Sequence, residues 1–373
     1  MRKITLLAVL ALVAWAPTAG QNPQLTDLSC CDPEDQPGIS GQFCAEGVTC
    51  CASGHWQCND AAGDSTCALD GELCRSCCDP LAEPVNRNGI VETCLKALDA
   101  AKAYGLNSIV DATPSDLSRD VDIMKEVSEK AQVNVICSTG RYGEEGGKWT
   151  YLKFRNQTAA GDLKKELYDG FMCEITQGIG QSGIKPGVIK VATGHGRISP
   201  CEEALLRAAA QASNETGLPI ITHTEEGTMG PEQAELLTGE GVAPEKIMIG
   251  HMCGNASLQY QKAVLKTGVN ISFDRFGVDI SMTDHSRLAT LTSLLREGYS
   301  DRVMLSHDHV SSSFGRSAGR HNIWPEDLYP EAVNWSFFHI FRTIIPRLKQ
   351  TGVTDEQIRI MMADNPRRLL SGA

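Results

Sequence analysis

From about residue 80 the chain alternates between two hydrophobic periods. Apolar positions spaced by three and four predict helices over 90–104, 116–131, 162–178, 199–217, 231–239, 258–266, 287–296, 335–350 and 355–362. Between them, short runs rich in Val and Ile predict strands over 108–111, 133–137, 188–192, 219–223, 247–251, 269–273 and 302–306. The helix at 199–217 carries its own punctuation: Ser199 at the N-cap, Pro200 at the first position, Glu202 as capping-box partner and Gly217 as the stop. Strand–helix alternation on this scale implies a parallel sheet with right-handed crossovers. The expected fold class is therefore α/β, with an eight-stranded (β/α)8 barrel of the TIM type as its natural closure and an open doubly wound sheet as the alternative. Gly-rich phosphate fingerprints are absent, which disfavours nucleotide-binding versions of the open sheet.

The N-terminal part obeys neither period. Residues 1–20 have the form of a secretory signal: Arg2 and Lys3, an apolar run from Ile4 to Ala16, and a small-residue exit at Pro17-Thr18-Ala19-Gly20. Residues 21–79 hold ten of the fifteen cysteines, including the pairs Cys30-Cys31, Cys50-Cys51 and Cys77-Cys78. A dense, even cluster behind a leader implies disulfides formed in an oxidising compartment, with a zinc site as the lesser alternative. The expected organisation is thus a signal peptide (1–20), a disulfide-rich module (21–79) and a catalytic-type barrel (80–373). The paired-cysteine habit loosely resembles granulin-type modules. Five Asn-X-Ser/Thr sites, at Asn156, Asn214, Asn255, Asn270 and Asn334, fit a secreted glycoprotein, although Asn270 sits in a strand-like run.

Composition adds exclusions. A formal charge of −12 over 373 residues argues against a nucleic-acid or anionic-membrane partner. No internal apolar run reaches the ~18 residues of a membrane span.

Chemistry concentrates at strand ends. Lys190 lies in the apolar run Gly187-Val-Ile-Lys-Val-Ala-Thr-Gly194 and shares a face with Val188 and Ala192. On a closed barrel that face is interior. A buried amine tends to neutralise and can capture carbon dioxide as a carbamate, an anionic oxygen ligand; at a strand edge the same lysine would snorkel to solvent. The other strand ends read Asp111, His223, His251, Asp274-Arg275 and Ser306-His307-Asp308. Imidazoles, a carbamate and a carboxylate converging at one mouth are a sensible shell for zinc or a similar divalent ion.

At this point the sequence resembles the phosphotriesterase family of the amidohydrolase superfamily. The matching stretches run in order from about residue 88 to 372: Asn107-Ser-Ile-Val-Asp-Ala-Thr113, Gly187-Val-Ile-Lys-Val-Ala192, Ile221-Thr-His-Thr224, Gly230-Pro-Glu-Gln233, Ile249-Gly-His251, Phe273-Asp-Arg-Phe-Gly277, Gly298-Tyr-Ser-Asp-Arg302, Leu305-Ser-His-Asp308 and Asp364-Asn-Pro-Arg-Arg-Leu369. The likeness is greatest to the phosphotriesterase-related and lactonase-like branches. It implies a carbamylated Lys190 bridging two metals, His223 and His251 holding one of them, and Asp308 binding the other and taking a proton from water. It also implies Tyr142 and Arg275 at the substrate mouth; packing or a salt bridge is the plainer role for both. The implied cofactor is one or two divalent ions, zinc foremost. The implied partners are small lactones, carboxyl esters or organophosphates, with N-acyl amides as an alternative, and a homodimer is the expected assembly.

The chain departs from the family at its first strand, where a His-X-His pair for the second metal belongs. No such pair precedes Asn86; the region holds the cysteines and the single histidine His55. The barrel is therefore expected to be incomplete at strand 1 and to lack half of one metal shell. A faulty or alternatively spliced reading, a reduced single-metal enzyme and a non-catalytic extracellular binding protein all fit that departure.

Overall fold

The computed structural model describes residues 6–10, 48–50, 56–59, 65–66, 87–117, 119–144, 162–280, 282–310, 312–313, 316–317 and 334–371. Most of the expected leader and cysteine module, His55 and Asn156 fall outside them. Within that module three short strands, β2 (Val48–Cys50), β3 (Trp56–Asn59) and β4 (Ser65–Thr66), pair antiparallel in sequence order.

The expected strand series is present and parallel. It comprises β5 (Leu106–Asp111), β6 (Asn134–Gly140), β7 (Val188–Thr193), β8 (Ile220–Thr224), β9 (Ile247–Ile249), β10 (Asn270–Phe273) and β11 (Val303–Leu305), each hydrogen-bonded to the next. An eighth strand, β1 (Leu6–Leu10), lies parallel to β5, with Leu10 opposite Asp111. This corrects the expectation of an empty first position: a segment of the expected leader occupies the sheet edge beside β5. The order ends at β11 without a ladder back to β1, although Cα atoms of the two strands come within 8 Å.

Helices α1 (Arg87–Lys102), α2 (Val121–Ala131), α3 (Leu163–Gln177), α4 (Pro200–Thr216), α5 (Gly230–Gly239), α6 (Leu258–Lys266) and α7 (Asp284–Arg296) link the strands. Their ends follow side-chain chemistry. Asp162, Ser199 and Ser257 each accept a backbone N–H at an N-cap, and Glu202 completes the capping box with Ser199. α2 begins later than its periodicity predicts because Asp120 captures the amides of Asp122 and Ile123. The chain closes on two continuous helices, Ile340–Gln350 and Asp355–Ser371, each containing a π turn. The first starts after the expected residue 335, because Trp335 serves the site instead.

Strand periodicity sorts the core into two layers. Ile189, Val191, Ile220, Ile249 and Ile271 pack outward on the helices with Leu205, Leu206 and Leu291. Val188, Ala192, Ile221, Met248 and Met304 form the interior cluster together with Tyr142 and Leu369. Lys190 falls on the interior parity with Val188 and Ala192 and is 1% exposed, so the snorkelling alternative does not hold. Cys94, Cys137, Cys173 and Cys253, scattered through the barrel, are free thiols. Asn270 is buried and spends its amide on the carbonyls of Glu245 and Ile247. No helix among the described residues is long and apolar enough to cross a membrane.

Candidate metal and catalytic site

Lys190 is the centre of a polar pit in an otherwise apolar interior. Its Nζ has one hydrogen-bonding neighbour, the carbonyl of Thr222 at 3.4 Å. Burial pushes its pKa down to about 8, against the pull of Asp308 and Asp274. The amine is therefore far closer to its neutral, nucleophilic form than an ordinary lysine. The backbone around it is tightly fitted. Gly140 holds φ +113°, and a Cβ there would stand 1.8 Å from the Lys190 carbonyl oxygen, so only glycine lets β6 run against β7 at this level.

His223 closes β8 and His251 follows β9. Their rings meet edge to face at 4.6 Å between centroids, and both are fully buried. Burial pulls the pKa of each down, His223 to about 4 and His251 further, so both are neutral imidazoles near pH 7. His251 Nδ1 lies 2.9 Å from Asp274 Oδ1, and its backbone N–H donates to the same carboxylate. Despite burial, His251 and Arg275 hold the Asp274 carboxyl well below its usual range. An ionised acceptor at Nδ1 assigns the proton there and leaves the lone pair on Nε2. His223 is held differently: Glu225 Oε2 lies 2.9 Å from its Nε2 and the Tyr142 hydroxyl lies 3.1 Å from the same atom. Gln233 fixes the strand end behind it, donating to the His223 carbonyl and to Thr193 Oγ1.

Asp308 lies beyond the end of β11 in the left-handed region, φ +46°, and His251 shares that conformation at φ +57°. Non-glycine residues held there store ~1–3 kcal/mol each and cluster at functional sites. Glu226 and Met229, in the loop after His223, do the same. Asp308 Oδ2 accepts from Arg275 Nε at 3.0 Å and lies 3.9 Å from His251 Nδ1. Burial raises the Asp308 carboxyl to about 7, and Arg275 and Lys190 limit that rise. Trp335 Nε1 donates to the carbonyls of both His307 and Asp308 and fixes the turn.

The structure thus brings together Lys190, His223, His251, Asp308, Tyr142 and Arg275, all of them expected from the sequence. Asp111 does not join: it is buried and its Oδ1 accepts the Thr113 amide. Sequence reading left Asp274 without a role and passed over Glu225, Gln233 and Trp335. Gln233 stood inside a motif already singled out; Glu225, two residues after a candidate ligand, was also open to notice.

Two buried atoms of the pit lack a hydrogen-bond partner, His251 Nε2 and Asp308 Oδ1. Both are lone-pair donors, and an orphaned pair of this kind fits a divalent cation. Among the described residues no three His, Cys, Asp or Glu side chains already converge on one coordination point, so a bound cation would gather them. His-X-His does occur in the chain, as His307-Asp308-His309 after the last strand. It does not replace the first-strand pair. The His307 ring packs on Phe337 at 4.4 Å, His309 packs on Phe337 at 4.8 Å and Trp335 at 5.1 Å, and His307 Nδ1 accepts the His309 amide. His309 Nδ1 is itself buried without a partner.

A surface cleft of about 390 Å³ between α2 and the loop after α3 shares no residue with the pit. Its Arg119 is committed to Glu174 and to the Ser138 carbonyl.

Comparison with known proteins finds relatives over most of the chain. The phosphotriesterase homology protein of Mycobacterium tuberculosis is 35% identical over 274 residues, 73% of this chain and 81% of that protein. The aryldialkylphosphatase of Saccharolobus solfataricus is 35% identical over 272 residues, 73% of this chain and 82% of its own. Among solved structures, a mutant of a Deinococcus radiodurans PTE-like lactonase superposes with a TM-score of 0.73 at 42% identity, covering 77% of this chain and 88% of that one. The family description "Phosphotriesterase family" matches residues 81–370. The chain belongs to the phosphotriesterase family.

Proposed function

We propose that the chain is a metal-dependent hydrolase of ester-type bonds, in lactones, carboxyl esters or phosphotriesters, with zinc as the foremost cation. One observation carries the reading: Lys190 and His223, from β7 and β8, and His251 and Asp308, from the turns after β9 and β11, share one pit with two orphaned donor atoms. The names of the relatives, a phosphatase and a lactonase, support the ester class.

His223, His251, Asp308 and a carbamylated Lys190 are the residues that would hold the cation. When bound, a divalent ion supplies Lewis acidity and lowers the pKa of water at the site. Asp308 is the proton acceptor: it borders the pit with one carboxylate oxygen on Arg275 and the other without a partner, and burial raises its basicity. Asp274 keeps His251 in one tautomer and orientation through the reaction. Arg275 and Tyr142 border the same pit and orient the polar end of the substrate, the guanidinium as an ionic donor and the phenol as a neutral one. Burial, with Glu225 next, pushes the Tyr142 hydroxyl well above its ordinary pKa, so it keeps its proton. The interior cluster around Val188, Ala192 and Met304 excludes water from below.

The test is hydrolysis of a lactone series and an aryl dialkyl phosphate by purified, zinc-loaded protein. Asp308→Asn should lower kcat about a thousandfold; an unchanged rate would overturn the assignment. The missing first-strand histidine pair favours one second reading, a binding protein that holds such ligands without turnover, which the same assay separates through binding with no product. Export of the chain, read from residues 1–20 and the cysteine cluster, belongs to the proposal as well.

A further inference from the structure

We infer that Glu202 is a positioning residue for substrate binding: its buried carboxylate fixes the loop that carries Tyr142 into the pit. This role presupposes the hydrolase reading above, in which Tyr142 orients the polar end of the substrate.

Glu202 completes the capping box of α4, and one carboxylate oxygen suffices for that: Oε2 accepts the Ser199 amide at 2.9 Å. The other oxygen serves two different loops. Oε1 accepts the amide of Gly194, just past β7, at 3.0 Å and the amide of Glu144, past β6, at 3.2 Å. Glu202 is 1% exposed, so these bonds are made away from water. A buried N–H that loses its acceptor incurs its full desolvation penalty. A carboxylate, with two acceptor-only oxygens, is the side chain that can serve three such donors at once.

The Glu144 amide is one of several anchors on a single stretch. The Arg141 amide donates to the Lys190 carbonyl at 2.9 Å. The Tyr142 amide donates to both oxygens of Asp116, at 3.1 Å each, in the 3-10 turn Ser115–Leu117 after β5. Gly143 packs between them: a Cβ there would stand 3.4 Å from Glu202 Oε1 and 3.7 Å from Ala192 Cβ. The Ser199 hydroxyl adds a bond to the Glu144 carboxylate. Residues 141–144 are thus clamped from two sides, by Asp116 on one and by the start of α4 on the other.

The clamp delivers one side chain to the site. Tyr142 is 7% exposed, its hydroxyl lies 3.1 Å from His223 Nε2, and its ring centroid lies 4.8 Å from that of His223. A side-chain contact beyond about 3.5 Å is no longer a hydrogen bond, so a loop shift of about half an ångström takes the hydroxyl off its mark. Glu202 therefore acts through Tyr142 rather than on the substrate itself.

The test uses the full chain labelled with 3-fluorotyrosine and observed by fluorine NMR. The chain has seven tyrosines, and Tyr142→Phe identifies the signal of Tyr142. Glu202→Asp keeps an acidic first turn on α4 but draws the carboxylate back by one methylene, away from the two loops. The Tyr142 signal should shift while the other tyrosine signals stay in place. KM for δ-valerolactone should rise about tenfold with kcat within about threefold of wild type, the pattern of lost substrate positioning. Thr354→Ala removes the N-cap of the closing helix; it should lower the thermal melt and leave both the Tyr142 signal and KM at their wild-type values. An unmoved Tyr142 signal in Glu202→Asp would overturn the inference, and so would a moved signal with a wild-type KM. An equal shift in Thr354→Ala would also overturn it, because lost stability alone would then suffice. A wild-type chain without turnover would sink the hydrolase reading instead. Half-saturation of the Tyr142 signal by δ-valerolactam then decides: a rise of about tenfold in Glu202→Asp supports the role, and an unchanged value ends it.

Discussion

Asp274 holds His251 twice, through the ring Nδ1 at 2.9 Å and through the backbone amide at 3.2 Å. One carboxylate thus fixes both the orientation of the ring and the left-handed backbone that presents it. Asp274→Asn keeps the shape but offers a neutral acceptor. Cation affinity should fall about 10- to 100-fold while the fold persists, the ordinary result of losing an ionised outer partner. Competition with a chelator of known affinity measures it, and an unchanged constant would show that His251 needs no such clamp.

Arg275 and Asp308 form a pair at the pit, 18% and 8% exposed. Removing one partner of such a pair leaves the other without compensation and costs about 3 kcal/mol. Arg275→Ala should lower stability to urea by about that amount. Asp308→Asn should cost less, because burial already works against the Asp308 charge. The double variant should be clearly less destabilised than the sum of the two; strict additivity would mean that the pair does not interact.

Gly140→Ala places a methyl group on the Lys190 carbonyl and demands a left-handed alanine. The expected loss is about 3–5 kcal/mol, with β6 displaced from β7. A thermal melt within a degree of wild type would show that the strands can separate there at little cost.

Asp284 accepts the Gly277 amide at 2.9 Å and pairs with His339 at 2.5 Å, joining the Arg275 loop to the closing helix. Burial opposes its ionisation, but His339 and the Gly277 amide hold its carboxyl below the usual range. A depressed carboxylate stabilises the fold above its unfolded pKa of about 4, and that contribution is lost as pH falls through the lower folded value. Asp284→Asn should therefore be less stable than wild type near pH 7, by about 2–3 kcal/mol, and the gap should close below pH ~4. Parallel urea midpoints across pH 3–8 test it; a gap independent of pH would assign the effect to packing.

What was legible in the chain follows from how local each cause is. Helix ends set by one side chain, such as Ser199 with Glu202, were readable because donor and acceptor lie three residues apart. The pit was readable because Lys190, His223, His251 and Asp308 stand at or near the ends of strands whose order fixes their meeting. Asp274 and Glu225 were not read because their work depends on distances between loops. The turn at Asp308 likewise depends on Trp335, which periodicity had placed in a helix. The first strand was missed for another reason: its residues carry a stronger signal of a different kind, that of a leader.

That last feature has a temporal side. Leu6–Leu10 leave the ribosome long before Leu106–Asp111 exist to pair with them. The same five residues cannot be both cleaved from the chain and hydrogen-bonded to β5. A chain that lost them would carry β5 as a bare edge, and only a chain that keeps them presents the eight-stranded sheet. Chains with and without these residues would differ in intact mass, in edge exposure and hence in their tendency to associate.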